Sequence, residues 1–169
     1  MKQLTVFSCF LFLSLVSYSQ GEVKKEIQWL SIEKAEQFTV KFQSDMLIFF
    51  FRGGCDDCKR MKAETLKNPE IVNLINDNFF PVMLNGRTKD TLEFGGKKYF
   101  NQQPIAHGKS FRHDLYHELV IDGGHQYVYP YIVIVNGQYE VTDYFAGFYP
   151  KERLKRSLLR VLNISQIQN

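Results

Sequence analysis

Between Met46 and Phe51 the chain runs MLIFFF with no polar interruption. A short continuous apolar run followed by a Gly-Gly pair predicts a strand buried on both faces. Phe79–Leu84 (FFPVML) and Tyr131–Val135 (YIVIV) read in the same way. Between these runs the apolar spacing is helical. Ser31 is placed to cap a helix whose Ile32, Ala35, Phe38 and Phe42 share one face. Met61, Thr65 and Leu66 form an inward stripe behind Cys55, while Lys59, Arg60 and Lys62 face solvent; Asn68-Pro69 ends that segment. Pro69–Asn78 (PEIVNLINDN) follows with Ile71, Leu74 and Ile75 inward. Pro150 opens a last helix carrying Leu154, Leu158, Val161 and Leu162. Ile27–Leu30 is expected as a short first strand, and Asn136-Gly137 as a type I′ turn into a strand over Tyr139–Phe145.

The stretch between Leu84 and Pro130 is too long for a structureless loop. Within it, Thr91–Phe100 predicts a hairpin around Gly95-Gly96, and Ser110–Ile121 a helix with Phe111, Leu115 and Leu119 as its apolar face, stopped by Gly123-Gly124. The order is β-α-β-α-β, an inserted hairpin and helix, then β-β-α. That alternation demands an α/β fold, a central mixed sheet flanked by helices.

The N-terminus changes the picture of where this domain works. Lys2, an apolar block from Leu4 to Val16 and the small residues Ser17 and Ser19 describe a secretory signal peptide over residues 1–19. The block is shorter than the ~20 apolar residues of a membrane span, so no stable membrane anchor is expected. Cys9 lies inside the block with Phe10 after it, which argues against lipidation. Residues 20–169 are then one domain in a periplasmic or secreted protein. The full chain holds 15 Phe and 9 Tyr among 169 residues, ample material for a core. The formal charge of +3, which includes Lys2, is too small to suggest nucleic acid.

Cys55 and Cys58 are the cysteines left once Cys9 is removed. Paired cysteines in secreted chains are usually staples, but a bridge between residues three apart closes a tiny loop and removes little unfolded-state entropy. Such a local disulfide is the labile kind. Cys55 would sit at a helix N-terminus, where free N–H groups and the positive end of the dipole stabilise a thiolate. Cys58, one turn on, is placed to attack a mixed disulfide formed by Cys55.

CxxCK after a buried strand, the "NPEIVNLINDNFFPV" segment, and Tyr129-Pro130 before a strand–hairpin–helix ending together resemble the thioredoxin superfamily, over most of residues 20–169. The match is closest to exported bacterial thioredoxin-like proteins, and the insertion, about residues 86–128, resembles a "YHEL…G…YP" segment of theirs. The resemblance implies that Cys55 is the nucleophile and Cys58 the resolving cysteine of a redox disulfide. It also implies that Tyr129-Pro130 is a cis-proline site offering backbone to a substrate peptide. The chain departs from thioredoxin itself in three ways: Asp56-Asp57 replace Gly-Pro between the cysteines, Gly54 replaces a tryptophan, and Phe49 stands where a proton-handling aspartate is buried. Glu33 and Glu36 are the substitutes considered, with exposed helix carboxylates the plainer reading of both.

All four histidines, His107, His113, His117 and His125, lie in the insertion. His113 and His117 are spaced to share a helix face and bind metal, yet no HExxH accompanies them, and solvated or locally bonded histidines are favoured. No metal and no cofactor is expected. The reading is an exported thiol–disulfide oxidoreductase acting on client proteins with cysteines or disulfides, recycled by a further redox partner. The alternative is a thioredoxin-like partner-binding module with weak redox activity. Each aspartate beside Cys55 opposes a thiolate by about 1 kcal/mol at ~7 Å, which favours a reductase or isomerase over a primary oxidase.

Overall fold

The computed structural model describes residues 26–101, 112–121 and 126–168. The signal-peptide segment, His107, His125, Phe111 and Gly123-Gly124 lie outside these residues.

Helix α1 spans Ile32–Phe42, with the Ser31 hydroxyl accepting from the Lys34 N–H at 3.3 Å. Strand β1 is Met46–Phe51. Helix α2, Asp56–Arg60, runs on as a π-helical turn over Met61–Thr65. Helix α3, Pro69–Asn78, starts with proline in its first turn and the Asn68 side chain accepting from the Glu70 N–H. Strand β2 is Phe80–Asn85, and β3 (Leu92–Phe94) pairs with β4 (Lys97–Tyr99) as the inserted hairpin. Helix α4, Asp114–Tyr116, continues as a π-helical turn over His117–Ile121. Strands β5 (Tyr131–Val135) and β6 (Val141–Ala146) precede the final helix α5, Lys151–Gln168.

The main sheet has the order β2-β1-β5-β6. β1 is parallel to β2 and antiparallel to β5, so the sheet is mixed. Burial on both faces explains why β1 and β5 are apolar at every position. Ile48 and Phe50 of β1, with Tyr131, Val133 and Val135 of β5, face α1 and the insertion. Leu47, Phe49, Ile132 and Ile134 face α3 and α5, meeting Ile71, Ile75, Leu154 and Leu158. The expected fold class, a central mixed sheet flanked by helices with a hairpin and helix inserted ahead of β5, is the observed one.

Three local expectations need correction. Ile27–Leu30 makes only an isolated bridge, Leu30 to Val82, with the Leu30 N–H donating to the Pro81 carbonyl. Phe42 is 55% exposed and not part of the inward face. It closes α1 beyond the sheet edge and packs on Phe38 and Phe80 instead. The β5–β6 turn is not type I′, because Gly137 has no positive φ and Tyr139 does, at 65°. The Asn136 side chain accepts from the N–H groups of Gln138 and Glu140, which places Asn136 at the start of the turn and leaves the left-handed position to Tyr139.

The insertion is anchored through His113, 1% exposed. Its Nδ1 accepts from the Leu115 N–H (3.2 Å), so Nε2 carries the hydrogen and donates to the Asp90 carbonyl (3.0 Å). Burial, the largest cause, pushes the imidazole pKa below its ordinary 6.5, against smaller opposing effects of the Asp90 carbonyl, Asp114 and Asp90. Above pH 6.5 the ring is neutral in both folded and unfolded chains. As pH falls, the unfolded chain takes up the proton first, so stability declines until the pH passes the folded-state value. Urea midpoints should therefore fall between pH 7.5 and 5.5, and fall less in His113→Gln; equal falls in the two proteins would remove His113 from the acid response.

Candidate active site

The site begins where β1 leaves the sheet. Gly53 and Gly54 turn the chain, with Gly54 at φ +66°, where a side chain would be strained. Cys55 follows in an extended conformation as the N-cap of α2. Its Sγ accepts from the Cys58 N–H at 3.1 Å, and its carbonyl accepts from the Lys59 N–H. The Cys55 and Cys58 sulfurs are bonded to each other, so this is the oxidised chain. Cys55 is 5% and Cys58 2% exposed; both are buried, and exposure barely separates their roles.

The antiparallel register of β1 and β5 brings the residues before β5 against this turn. The Tyr129–Pro130 peptide bond is cis. The Tyr129 carbonyl lies 3.6 Å from Cys55 Sγ, within reach of a thiol proton once the pair is reduced. The Pro130 carbonyl accepts from the Gly147 N–H, which ties this loop to the end of β6.

The loop is held from behind by residues that the apolar patterning did not single out. Tyr116 of α4 stacks on Tyr129 with ring centroids 4.7 Å apart. Its hydroxyl donates to the Val128 carbonyl (2.7 Å) and accepts from the Val128 N–H (3.2 Å), so one side chain satisfies both backbone groups. Burial pushes the Tyr116 phenol up to about 12, which keeps it protonated as that donor. The Tyr129 hydroxyl donates to the Gly86 carbonyl, which also accepts the His113 N–H. A Cβ on Gly86 would lie 2.3 Å from that hydroxyl oxygen, so only glycine fits. The alternation Tyr127, Tyr129, Tyr131 was the sequence signal available: all three rings meet Tyr116.

Around the cysteines the charges divide. Asp56 is 94% exposed and paired with Lys59 at 3.0 Å, so part of its repulsion of a thiolate is offset; Asp57 is exposed beside it. Phe49 is fully buried between Trp29 and Phe51 and offers no proton carrier. Glu36 accepts from the Gly95 N–H and the Tyr139 hydroxyl at the hairpin, and Glu33 is exposed. Neither is a substitute for the missing aspartate. Lys62 Nζ sits 3.3 Å from the centre of the Phe51 ring, and burial lowers its pKa. Both ring nitrogens of His113 are engaged as described, and His117 Nε2 bonds the Tyr127 hydroxyl. Among the described residues no group of three or more His, Cys, Asp or Glu is placed to hold a metal ion.

Tyr116→Phe keeps the ring stack and removes both hydrogen bonds to Val128. Leaving partly buried backbone groups unpaired should cost about 1–3 kcal/mol. The denaturant midpoint should drop with an unchanged slope, and Gly86→Ala, which displaces Tyr129, should cost at least as much. An unaltered midpoint in Tyr116→Phe would show that the hydroxyl is not what braces the loop.

The sequence profile of the thioredoxin-like domain matches residues 33–162. No curated protein sequence matches the chain. A solved structure named DsbH oxidoreductase superposes with a TM-score of 0.54 at 16% identity, covering 86% of this chain and 92% of that one. A thioredoxin from Thermus thermophilus gives 0.57 at 14% identity, covering 81% and 88%. At such identities the likeness speaks for the fold, while the profile spans most of the chain. With its mixed sheet, its CxxC pair after β1 and its cis-proline loop, the chain belongs to the thioredoxin-like domain family.

Proposed function

We propose that the protein is an exported thiol–disulfide oxidoreductase that exchanges disulfides with protein cysteines. The observation that carries this reading is the placement of Cys55: its sulfur caps α2, is bonded to Cys58, and lies 3.6 Å from the Tyr129 carbonyl. In the reducing direction, the Cys55 thiolate attacks one sulfur of a client disulfide. The client bond breaks, one client thiolate leaves, and the other sulfur stays bound to Cys55. The Cys58 thiolate then attacks Cys55 Sγ, which releases the second client thiolate and restores the Cys55–Cys58 disulfide. Two electrons have passed to the client, and a separate dithiol donor must return them. Tyr129 and Pro130 supply the backbone against which the client peptide rests.

The export half of the proposal rests on the signal-peptide pattern of residues 1–19, and places the protein in the periplasm or outside the cell. The reducing or isomerising direction is supported by Asp56 and Asp57, whose charges disfavour a thiolate at Cys55 and so disfavour the reduced form. A second reading is favoured by the burial of both sulfurs: a partner-binding module with weak redox activity.

Insulin reduction with dithiothreitol as electron donor separates the two. Turnover should be readily measured in the native protein and lost in Cys55→Ser. Cys58→Ser should accumulate mixed disulfides with clients, and Cys55→Ser should not. Equal trapping by both variants would show the roles of the two cysteines to be misassigned, and an inert native protein would leave the binding module.

A further inference from the structure

Lys62 stands one helical turn after Cys58, and it differs from the other cations of that helix. Lys59 and Arg60 are exposed and paired with Asp56 and Glu64. Lys62 is half-buried, with Nζ 3.3 Å from the centre of the Phe51 ring and 6.0 Å from that of Phe49. Among the described residues it has these ring contacts and no ion pair. The rings hold an ammonium through their quadrupoles without neutralising it. The Met61 N–H bonds the Asp57 carbonyl, so α-helical spacing persists up to this turn. Residues four apart then share a helix face, and helical side chains lean toward the N-terminus. Lys62 thus reaches back toward Cys58, and its seat on Phe51, the last residue of β1, agrees with that direction. Phe51 itself packs on both cores, the one holding Cys55 and Cys58 and the one holding Phe49 and Met61.

Phe49 pairs across the sheet with Met83, and Met83, Trp29 and Lys62 line a cavity of about 180 Å³. The other charged groups on that cavity are Glu26, from the segment before α1, and Lys67, past the π turn. β1 and β2 offer Phe49, Phe51 and Met83, which carry no charge. α5 meets the turn through Met61 and Thr65, beside Tyr149.

We propose that Lys62 is a positioning residue for the resolving step: its ammonium stabilises the Cys58 thiolate that attacks Cys55 Sγ. The inference rests on the thiol–disulfide reading of the cysteine pair and names the group that prepares its second thiol. A buried thiol resists ionisation because its charged form is desolvated. An aspartate at the Phe49 position would overcome this by taking the proton. A charged lysine cannot take one; it weakens the hold of the sulfur on its proton, which leaves to solvent. The Cys58–Cys55 bond then forms and the Cys55–client bond breaks. Its electron pair departs on the client thiolate, which takes a proton from solvent. Burial lowers the pKa of Lys62 as well, so each of the two charges eases the desolvation of the other.

The test mixes reduced full-length protein in a stopped-flow cell with excess symmetrical aromatic disulfide whose free thiol is coloured. Attack by Cys55 releases one thiol at a rate proportional to the reagent. Resolution by Cys58 releases a second at a rate independent of it, and Cys58→Ser should stop after the first. Lys62→Met keeps the apolar stem over the rings and removes the charge; Lys62→Gln is run beside it to expose any packing defect peculiar to methionine. In both, the pH midpoint of the second phase should rise by about one unit, as for a unit charge ~7 Å away at an effective dielectric near 40. At pH 7 that leaves about tenfold less thiolate, partly offset by its greater nucleophilicity, so resolution should slow roughly three- to fourfold. The first phase should change less, and Lys62→Arg should restore the native midpoint. A midpoint unmoved in Lys62→Met and Lys62→Gln, moved as far in Lys62→Arg, or moved equally in the first phase overturns the inference. A native protein that releases only the first thiol would instead sink the thiol–disulfide reading.

Discussion

The antiparallel pairing of β1 with β5, in the register that sets Phe50 opposite Tyr131, is the constraint on which the site depends. It places the chain leaving β1, Arg52 to Cys55, against the chain entering β5, Val128 to Pro130. The Tyr129 carbonyl thereby comes within 3.6 Å of Cys55 Sγ. A slip of one residue would turn every β1 side chain to the opposite face. Such a slip is resisted because the two faces are filled by different neighbours. Ile48 and Phe50 belong to the core beneath α1 and the insertion, and Leu47 and Phe49 to the core beneath α3 and α5. The hydrophobic register of one strand therefore sets the geometry of the sulfur chemistry.

The insertion is continuous with that arrangement and not an appendage to it. Gly86, at the exit of β2, accepts both the Tyr129 hydroxyl and the His113 N–H on one carbonyl. Tyr116 covers Tyr129 and takes both backbone groups of Val128. The same segment supplies Arg112, whose guanidinium stacks on the Tyr127 ring.

How much of this was legible depends on the kind of signal. β1, α3 and β5 were read at their observed limits or within a residue of them, because unbroken apolar runs and an Asn-Pro cap are local features that tertiary contacts do not override. The Gly95-Gly96 hairpin was equally plain, and both glycines have positive φ. The β5–β6 turn misled because Asn136 uses its side chain to hold two later N–H groups, a choice the dipeptide does not reveal. The expected apolar face omits Tyr116, although it is buried beside Leu115 and Leu119, because its hydroxyl finds its partner, Val128, only once the insertion folds back on the loop. The close approach of Gly86, Tyr116 and Tyr129 could not be read at all, since they are neighbours only after the sheet and the insertion have formed.

The central claim is that the Cys55–Cys58 pair is a working couple and not a staple, held by a loop too short to stabilise the fold much. Equilibration of the full-length protein in graded glutathione or dithiothreitol buffers, with the thiol fraction read after acid quench, tests it most directly. A reversible two-electron transition is expected, with its midpoint between the ~−300 mV below which structural disulfides lie and the ~−120 mV of the strongest oxidants. A midpoint below ~−300 mV, or a pair that will not reoxidise, would make the disulfide structural and contradict the account. A midpoint at or above ~−120 mV would contradict the role given to Asp56 and Asp57.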